Sequence, residues 1–177
     1  MYAVHQIESG SGMIGAEAVG AAKETDLKPA FLEAVMLVER VHRRFLDVVK
    51  DELERLKHVE VNAVQAVLLY NVGDADLSAG ELKSRGYYLG SNVSYNVRKL
   101  TEAGYIVQER CTRDRRSIRI RLTERGREIA AIVGNLYERN ARTIGDVGLF
   151  GASDLRQMTT ALQRLDRFWD DQIRYRL

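Results

Sequence analysis

Residues Cys111 to Gly126 read CTRDRRSIRIRLTERG. Six arginines stand in this stretch, Arg113, Arg115, Arg116, Arg119, Arg121 and Arg125, and only Asp114 and Glu124 oppose them. Ile118, Ile120 and Leu122 alternate with Ser117, Arg119 and Arg121, which is the period of a strand with one apolar face. The preceding YIVQERC, Tyr105 to Cys111, supplies a partner strand, with a turn at Thr112–Arg116. The expected object is a two-stranded ribbon. Ile118, Ile120 and Leu122 dock it on the body of the protein, Arg119 and Arg121 face out, and the tip carries arginines. A guanidinium fork pairs with phosphate, and its weak hydration lets it enter a narrow groove. Asp114 fits a role in pairing with a neighbouring arginine to hold the tip in shape.

The helix just before the ribbon sharpens this reading. GSNVSYNVRKLTEAG, Gly90 to Gly104, predicts a helix over 91–103 with Gly104 past its end as the C-cap. At about 100° per residue, Val93, Val97 and Leu100 cluster on one face. The opposite face carries Ser91, Tyr95, Arg98 and Glu102, flanked by Asn92, Ser94 and Lys99. That set is short, polar and rich in hydrogen-bond donors, which suits the edges of bases in a DNA major groove. A solvated helix face is the bland alternative. The arginine-loaded ribbon immediately after it favours DNA.

Working outward, residues 1–28 are rich in Gly, Ser, Ala and Glu and read as a flexible arm. The single proline, Pro29, opens a long amphipathic helix over 29–57 on Phe31, Val35, Val38, Phe45, Val49, Leu53 and Leu56. A second helix is expected over 61–72, a break at GDADLS (73–78), and a short third helix over 79–86. Thr123 caps a fifth helix carried by Ile129, Ile132, Val133, Leu136, Tyr137 and Ile144. GLFGAS (148–153) separates it from a sixth, on Leu155, Met158, Leu162, Leu165, Trp169 and Ile173. The expected organisation is an arm (1–28), a dimerisation helix (29–60), a winged helix-turn-helix (61–122) and dimerisation helices (123–177). The fold class is mainly α with a small β-wing. The first and last stripes are long and have few elements to cover them, so they predict either a monomeric helical bundle or an intertwined homodimer.

Composition excludes several classes of function. The chain has 177 residues, 45% hydrophobic and 29% charged, with a formal net charge of only +2. Basic charge is therefore local, around 110–127, and not global. No apolar run is long enough to span a bilayer, so no membrane is expected as a partner. One cysteine excludes an internal disulfide framework and fits a reducing cytoplasm. The three histidines, His5, His42 and His58, are dispersed, and no cluster has metal spacing. His42 on its apolar stripe reads as a core or interface histidine. Cys111 is either a small buried hydrophobe or a thiol made reactive by nearby arginines. No phosphate-binding glycine loop, nucleophile elbow or carboxylate pair is visible, so no catalytic residues and no cofactors are expected.

LSAGELKSRGYYLGSNVSYNVRKLTEAGYI (77–106), followed by DRRSIRIRLTERG (114–126), resembles the winged helix-turn-helix of MarR-family bacterial transcription regulators. The spacing from Gly104 to Asp114-Arg115-Arg116, and on to Leu122-Thr123 and Gly126, matches the family pattern without a gap. RGYYLGSNVSYNVRKL (85–100) is also similar to the LdtR-like subgroup, regulators linked to cell-wall remodelling. The resemblance implies that Arg115 is the minor-groove arginine and Asp114 its positioning partner. The ribbon departs from many relatives at Gln108 and Glu109, where they carry arginine.

The combined expectation is a cytoplasmic, sequence-specific homodimer on a pseudo-palindromic double-stranded operator. Ser91, Asn92, Ser94, Tyr95, Arg98, Lys99, Arg113, Arg115 and Arg116 would contact DNA. A small aromatic or anionic effector is expected between the dimer helices and the winged domain, with Phe45, Val49, Leu68, Leu69 and Tyr137 as candidate walls. The alternatives are a winged helix used only for protein interaction, a thiol sensor acting through Cys111, and a small-molecule-modifying enzyme on a helical dimer scaffold.

Overall fold

The computed structural model describes residues 27–74, 77–78, 81–82, 90–110 and 118–175. The elements are α1 (Leu27–Arg55), α2 (Ala63–Val72), β1 (Leu77–Ser78), α3 (Gly90–Glu102), β2 (Ile106–Arg110), β3 (Ile118–Leu122), α4 (Glu124–Asp146) and α5 (Ala152–Tyr175). The chain divides between Val41 and His42 into two units, the second running from His42 to Leu177. Residues 1–26 of the expected arm (1–28), most of the expected third helix and the ribbon tip at 111–117 lie outside the described residues; Leu27 and Lys28 already belong to α1, and Glu81 and Leu82 are helical.

Each helix boundary has a local cause. Asn62 caps α2, its side chain accepting from the Gln65 N–H while the Gln65 side chain accepts from the Asn62 N–H. This reciprocal capping box sets the start two residues later than the apolar pattern alone predicts. Gly104, at φ 77°, ends α3. The Tyr105 N–H donates to the Leu100 carbonyl and the Gly104 N–H to that of Thr101, the pattern of a Schellman motif. The same two bonds close α1 at His58 and Lys57, but there a lysine occupies the left-handed position, at φ 63°.

Three strands form one antiparallel sheet in the order β1-β3-β2. The sequence reading expected two. The third, Leu77–Ser78, lies in the segment read as a helix break, and it pairs Leu77 with Ile120 and Ser78 with Arg119. Two residues are too short for any alternation to show in sequence. Between β2 and β3, Ile106 faces Leu122 and Gln108 faces Ile120. Ile106, Ile120 and Leu122 are buried, but Ile118 is 44% exposed. It therefore does not dock the ribbon as expected, since it lies at the tip end of its strand.

The core unites the second half of α1 (Val49, Leu53), α2 (Ala66, Val67, Leu68, Leu69, Val72), α3 (Val93, Val97, Leu100), the sheet and α4 (Ile129, Val133, Leu136). An ion-paired carboxylate ties α1 to α4. Glu52 is held by Arg55 on its own helix at 2.8 Å and by Arg139 at 3.0 Å. The hydrogen bonds from Arg55, together with Arg139, bring its pKa down to about 2 against the opposing effect of burial. By contrast, α5 buries no residue. Met158, Leu162 and Phe168 along it are exposed, as are Leu27, Met36 and Val41 in the first unit.

The start of α4 makes a close approach to the turn after α3. Thr123 caps the helix by accepting from the Gly126 N–H. The Thr123 hydroxyl donates to the Gly104 carbonyl at 2.8 Å, and its N–H donates to the Tyr105 carbonyl at 3.0 Å. A Cβ on Gly126 would overlap the Tyr105 carbonyl oxygen, which is backbone and cannot swing away. Alanine in an open helical position is worth about 1 kcal/mol over glycine. Gly126→Ala should instead destabilise the protein by about 3 kcal/mol, because overpacking against backbone dominates. Urea unfolding followed by circular dichroism measures this, and an unchanged or raised midpoint would show that the approach is not as close as described.

Candidate nucleic-acid interface

Helix α3 presents two chemically opposite faces. Val93, Val97 and Leu100 are buried, whereas Ser94, Tyr95, Arg98 and Lys99 are exposed, as the helical spacing requires. Ser91 and Asn92 lie in its first turn. Tyr95 is 54% exposed, a large value for an aromatic ring with no apolar cover. The Arg98 guanidinium lies 5.7 Å from the centre of that ring, within cation–π range. Glu102 completes the face, 3.8 Å from Arg98 Nε and 3.2 Å from Lys99 Nζ.

The ribbon leaves this helix through the Gly104 turn and stays tied to it. Gln108 Nε2 donates to Thr101 Oγ1 at 2.8 Å, and Thr101 Oγ1 donates to the Val97 carbonyl. Gln108 stands where the resemblance leads one to expect arginine, and it links strand to helix. Glu109 pairs with Arg121 at 3.5 Å across the strands, and Arg119 pairs with Glu81 at the same distance. Both arginines lie on the sheet face opposite Ile120, as expected. Between α3 and the ribbon runs a groove of about 300 Å³, lined by Val93, Ser94, Val97, Arg98, Gln108, Ile118 and Ile120.

Arg113, Asp114, Arg115, Arg116 and Cys111 lie outside the described residues. Arg125 is not part of the tip. It donates to the Ala103 carbonyl at 3.1 Å and to the Tyr105 hydroxyl at 3.0 Å, with its guanidinium 4.5 Å from that ring's centre. Tyr105 in turn donates to Glu60 at 2.9 Å. Burial, followed by the Glu60 carboxylate, raises the Tyr105 pKa, while Glu60 is lowered by its own backbone N–H and then by Tyr105. This network fixes the recognition helix's C-terminal end, and sequence reading missed it because its members are distant in the chain.

Three of the five expected effector-wall residues lie in the core, and the other two meet at an aromatic contact. Val49, Leu68 and Leu69 are core residues, each 1% exposed or less. Phe45 and Tyr137 stack at 5.2 Å, and Tyr137 also meets Tyr70 at 5.0 Å. A cavity of about 600 Å³ lies nearby, between the end of α1, the 58–64 segment and α3. Its lining includes Leu46, Lys50, Leu53, His58, Val61, Tyr95 and Asn96, and none of the five. His42 is exposed in the single chain, which removes the core alternative for it. No helix of the described residues is long and apolar enough to cross a membrane, and no group among them could hold a metal ion.

Comparison with known proteins agrees with this geometry. A family model described as a winged helix DNA-binding domain matches residues 61–126. The exopolysaccharide II synthesis transcriptional activator ExpG of Rhizobium meliloti (strain 1021) is 36% identical over 148 residues, 82% of this chain and 74% of ExpG. Two solved structures share the fold. FabT of Streptococcus pneumoniae, in complex with DNA, gives a TM-score of 0.63 at 18% identity, covering 80% of this chain and 98% of its own. AbsC, a MarR family transcriptional regulator from Streptomyces coelicolor, gives 0.64 at 19% identity, covering 84% and 97%. These relatives bear on the family and not on the narrower LdtR-like resemblance. With its winged helix, its polar recognition face and a relative of this identity and coverage, the chain belongs to the MarR family of DNA-binding transcription regulators.

Proposed function

We propose that the chain reads a pseudo-palindromic operator as a homodimer, each α3 lying in a major groove and each ribbon tip on the backbone or minor groove. The observation that carries this reading is the exposed Tyr95–Arg98–Lys99 face of α3 beside the ribbon. In it, Ser91, Asn92, Ser94, Tyr95, Arg98 and Lys99 contact DNA from α3, and Arg113, Arg115 and Arg116 contact it from the tip, with Asp114 positioning Arg115. Such a regulator works in the cytoplasm, where bacterial DNA lies. Arg98→Ala should cost about 1–3 kcal/mol on the operator and relax preference at one base pair per half-site. Arg115→Ala should weaken binding to every sequence and reduce the salt slope by about one. Binding to a random-pool selected site, measured across salt concentrations, checks both. Equal losses on selected and random duplexes for Arg98→Ala would instead favour a winged helix without base readout.

The dimer reading rests on the bare apolar stripes of α1 and α5, which a single chain leaves in water. Two-fold symmetry would place half-sites about one helical turn apart. Trp169→Asp on the α5 stripe should yield monomer or aggregate in light scattering. A well-folded monomer of the unmutated chain at micromolar concentration contradicts the assignment.

The effector reading moves from the expected walls to the cavity beside Tyr95. Leu46, Leu53, Val59 and Val61 offer apolar contact to an aromatic acid, and Lys50, paired with Glu54 at 3.6 Å in the free protein, offers a cation beside the carboxylates of Asp47 and Glu54. Because Tyr95 and Asn96 line the same cavity, a ligand there touches the recognition helix itself. Linkage then requires that operator DNA change the ligand's affinity by the factor the ligand changes DNA's. Calorimetric titration of aromatic acids with and without operator should show that difference, and identical affinities would reduce the cavity to a pocket without a switching role.

A further inference from the structure

On the outward face of α3, one carboxylate serves two cations. Glu102 Oε2 accepts from Lys99 Nζ at 3.2 Å, and Glu102 Oε1 stands 3.8 Å from Arg98 Nε. The Arg98 guanidinium also lies over the Tyr95 ring. It is therefore bounded by an aromatic face and by a carboxylate at its inner nitrogen. That pairing engages Nε, the nitrogen nearest the backbone, and leaves the outer edge of the fork pointing away from the carboxylate. All three charged side chains are about half exposed or more, at 66% for Arg98, 46% for Lys99 and 55% for Glu102.

An acid on a surface that meets phosphate works against binding, so Glu102 must return something for its charge. We propose that Glu102 is a specificity-determining residue, one that positions Arg98 for base readout and withholds Arg98 and Lys99 from phosphates on non-cognate DNA. The inference rests on reading α3 as the recognition helix.

The reasoning compares two complexes. On a non-cognate duplex, Arg98 and Lys99 have only phosphates to gain, and each must leave Glu102 to reach one. The exposed pairs are weak enough to be exchanged, but the exchange cancels part of the gain and brings the carboxylate towards the backbone. On the cognate duplex, Arg98 can keep both Tyr95 and Glu102. Its fork then donates two hydrogen bonds to one base edge, the geometry in which arginine reads guanine. The side-chain order required for that contact already exists in the free protein, so less freedom is lost on binding. The acid therefore penalises the wrong complex more than the right one.

The experiment uses the full chain and two duplexes, the site selected from a random pool and a scrambled version of it. Binding is read by fluorescence anisotropy over a salt series for the unmutated chain, Glu102→Gln, Glu102→Asp, Arg98→Ala and Arg98→Ala with Glu102→Gln. Glu102→Gln keeps size and removes charge. It should bind the scrambled duplex more tightly, with a salt slope steeper by about one. The ratio of cognate to scrambled affinity should fall by about two- to fivefold, the range open to exposed ion pairs. Glu102→Asp keeps the charge and shortens the reach, so it should lower the ratio without steepening the slope. In the Arg98→Ala background, Glu102→Gln should no longer alter base preference. An equal rise on both duplexes with base preference unchanged, or a ratio fully preserved in Glu102→Asp, overturns the proposal and leaves Glu102 as a general surface charge. Failure of the unmutated chain to distinguish the duplexes overturns both this proposal and the reading of α3 beneath it.

Discussion

The close approach of Gly126 to the Tyr105 carbonyl is the constraint on which the placement of α3 and the ribbon depends. At that point the end of α3, the start of β2 and the start of α4 converge. Thr123 donates to the carbonyls of both Gly104 and Tyr105, and Arg125 donates to that of Ala103. The last carbonyls of a helix have no partner within it. Here a threonine hydroxyl and a guanidinium from the next helix meet carbonyls at the end of α3, and the cation also suits the negative end of the α3 dipole. Helix α3 and the ribbon thus leave one junction, tied to the start of α4.

On α3 and the ribbon, the described arginines have acidic companions. Arg98 and Lys99 share Glu102, Arg121 faces Glu109, and Arg119 faces Glu81. Exposed pairs of this kind contribute little to stability. Their effect is on where guanidinium groups point, since a side chain with an orienting partner has fewer rotamers to lose on binding. Two further polar networks, each joining separate elements, are the Tyr105–Glu60–Arg125 set and Glu52 between Arg55 and Arg139.

Alternation at Ile118, Ile120 and Leu122, helical spacing at Val93, Val97 and Leu100, and the glycine at 104 were sufficient to place the ribbon, the recognition helix and its end. They succeed because each signal is local: period, cap and turn depend on residues a few positions apart. The same locality gave the outward set of α3, since a helix with one buried face must expose the other.

Tertiary structure alone decided the rest. It added the short strand Leu77–Ser78, which exists only because β3 offers an edge to pair with. It exposed Ile118 at the open end of the ribbon, although its spacing matches that of the buried Ile120. It made Arg125, just past the ribbon, a brace for α3, and it placed Val49, Leu68 and Leu69 in the core. In each case the deciding contact joins residues far apart in the chain, as Tyr105 with Glu60 does. Periodicity records which way a side chain points on its own element, but not what another element brings to meet it.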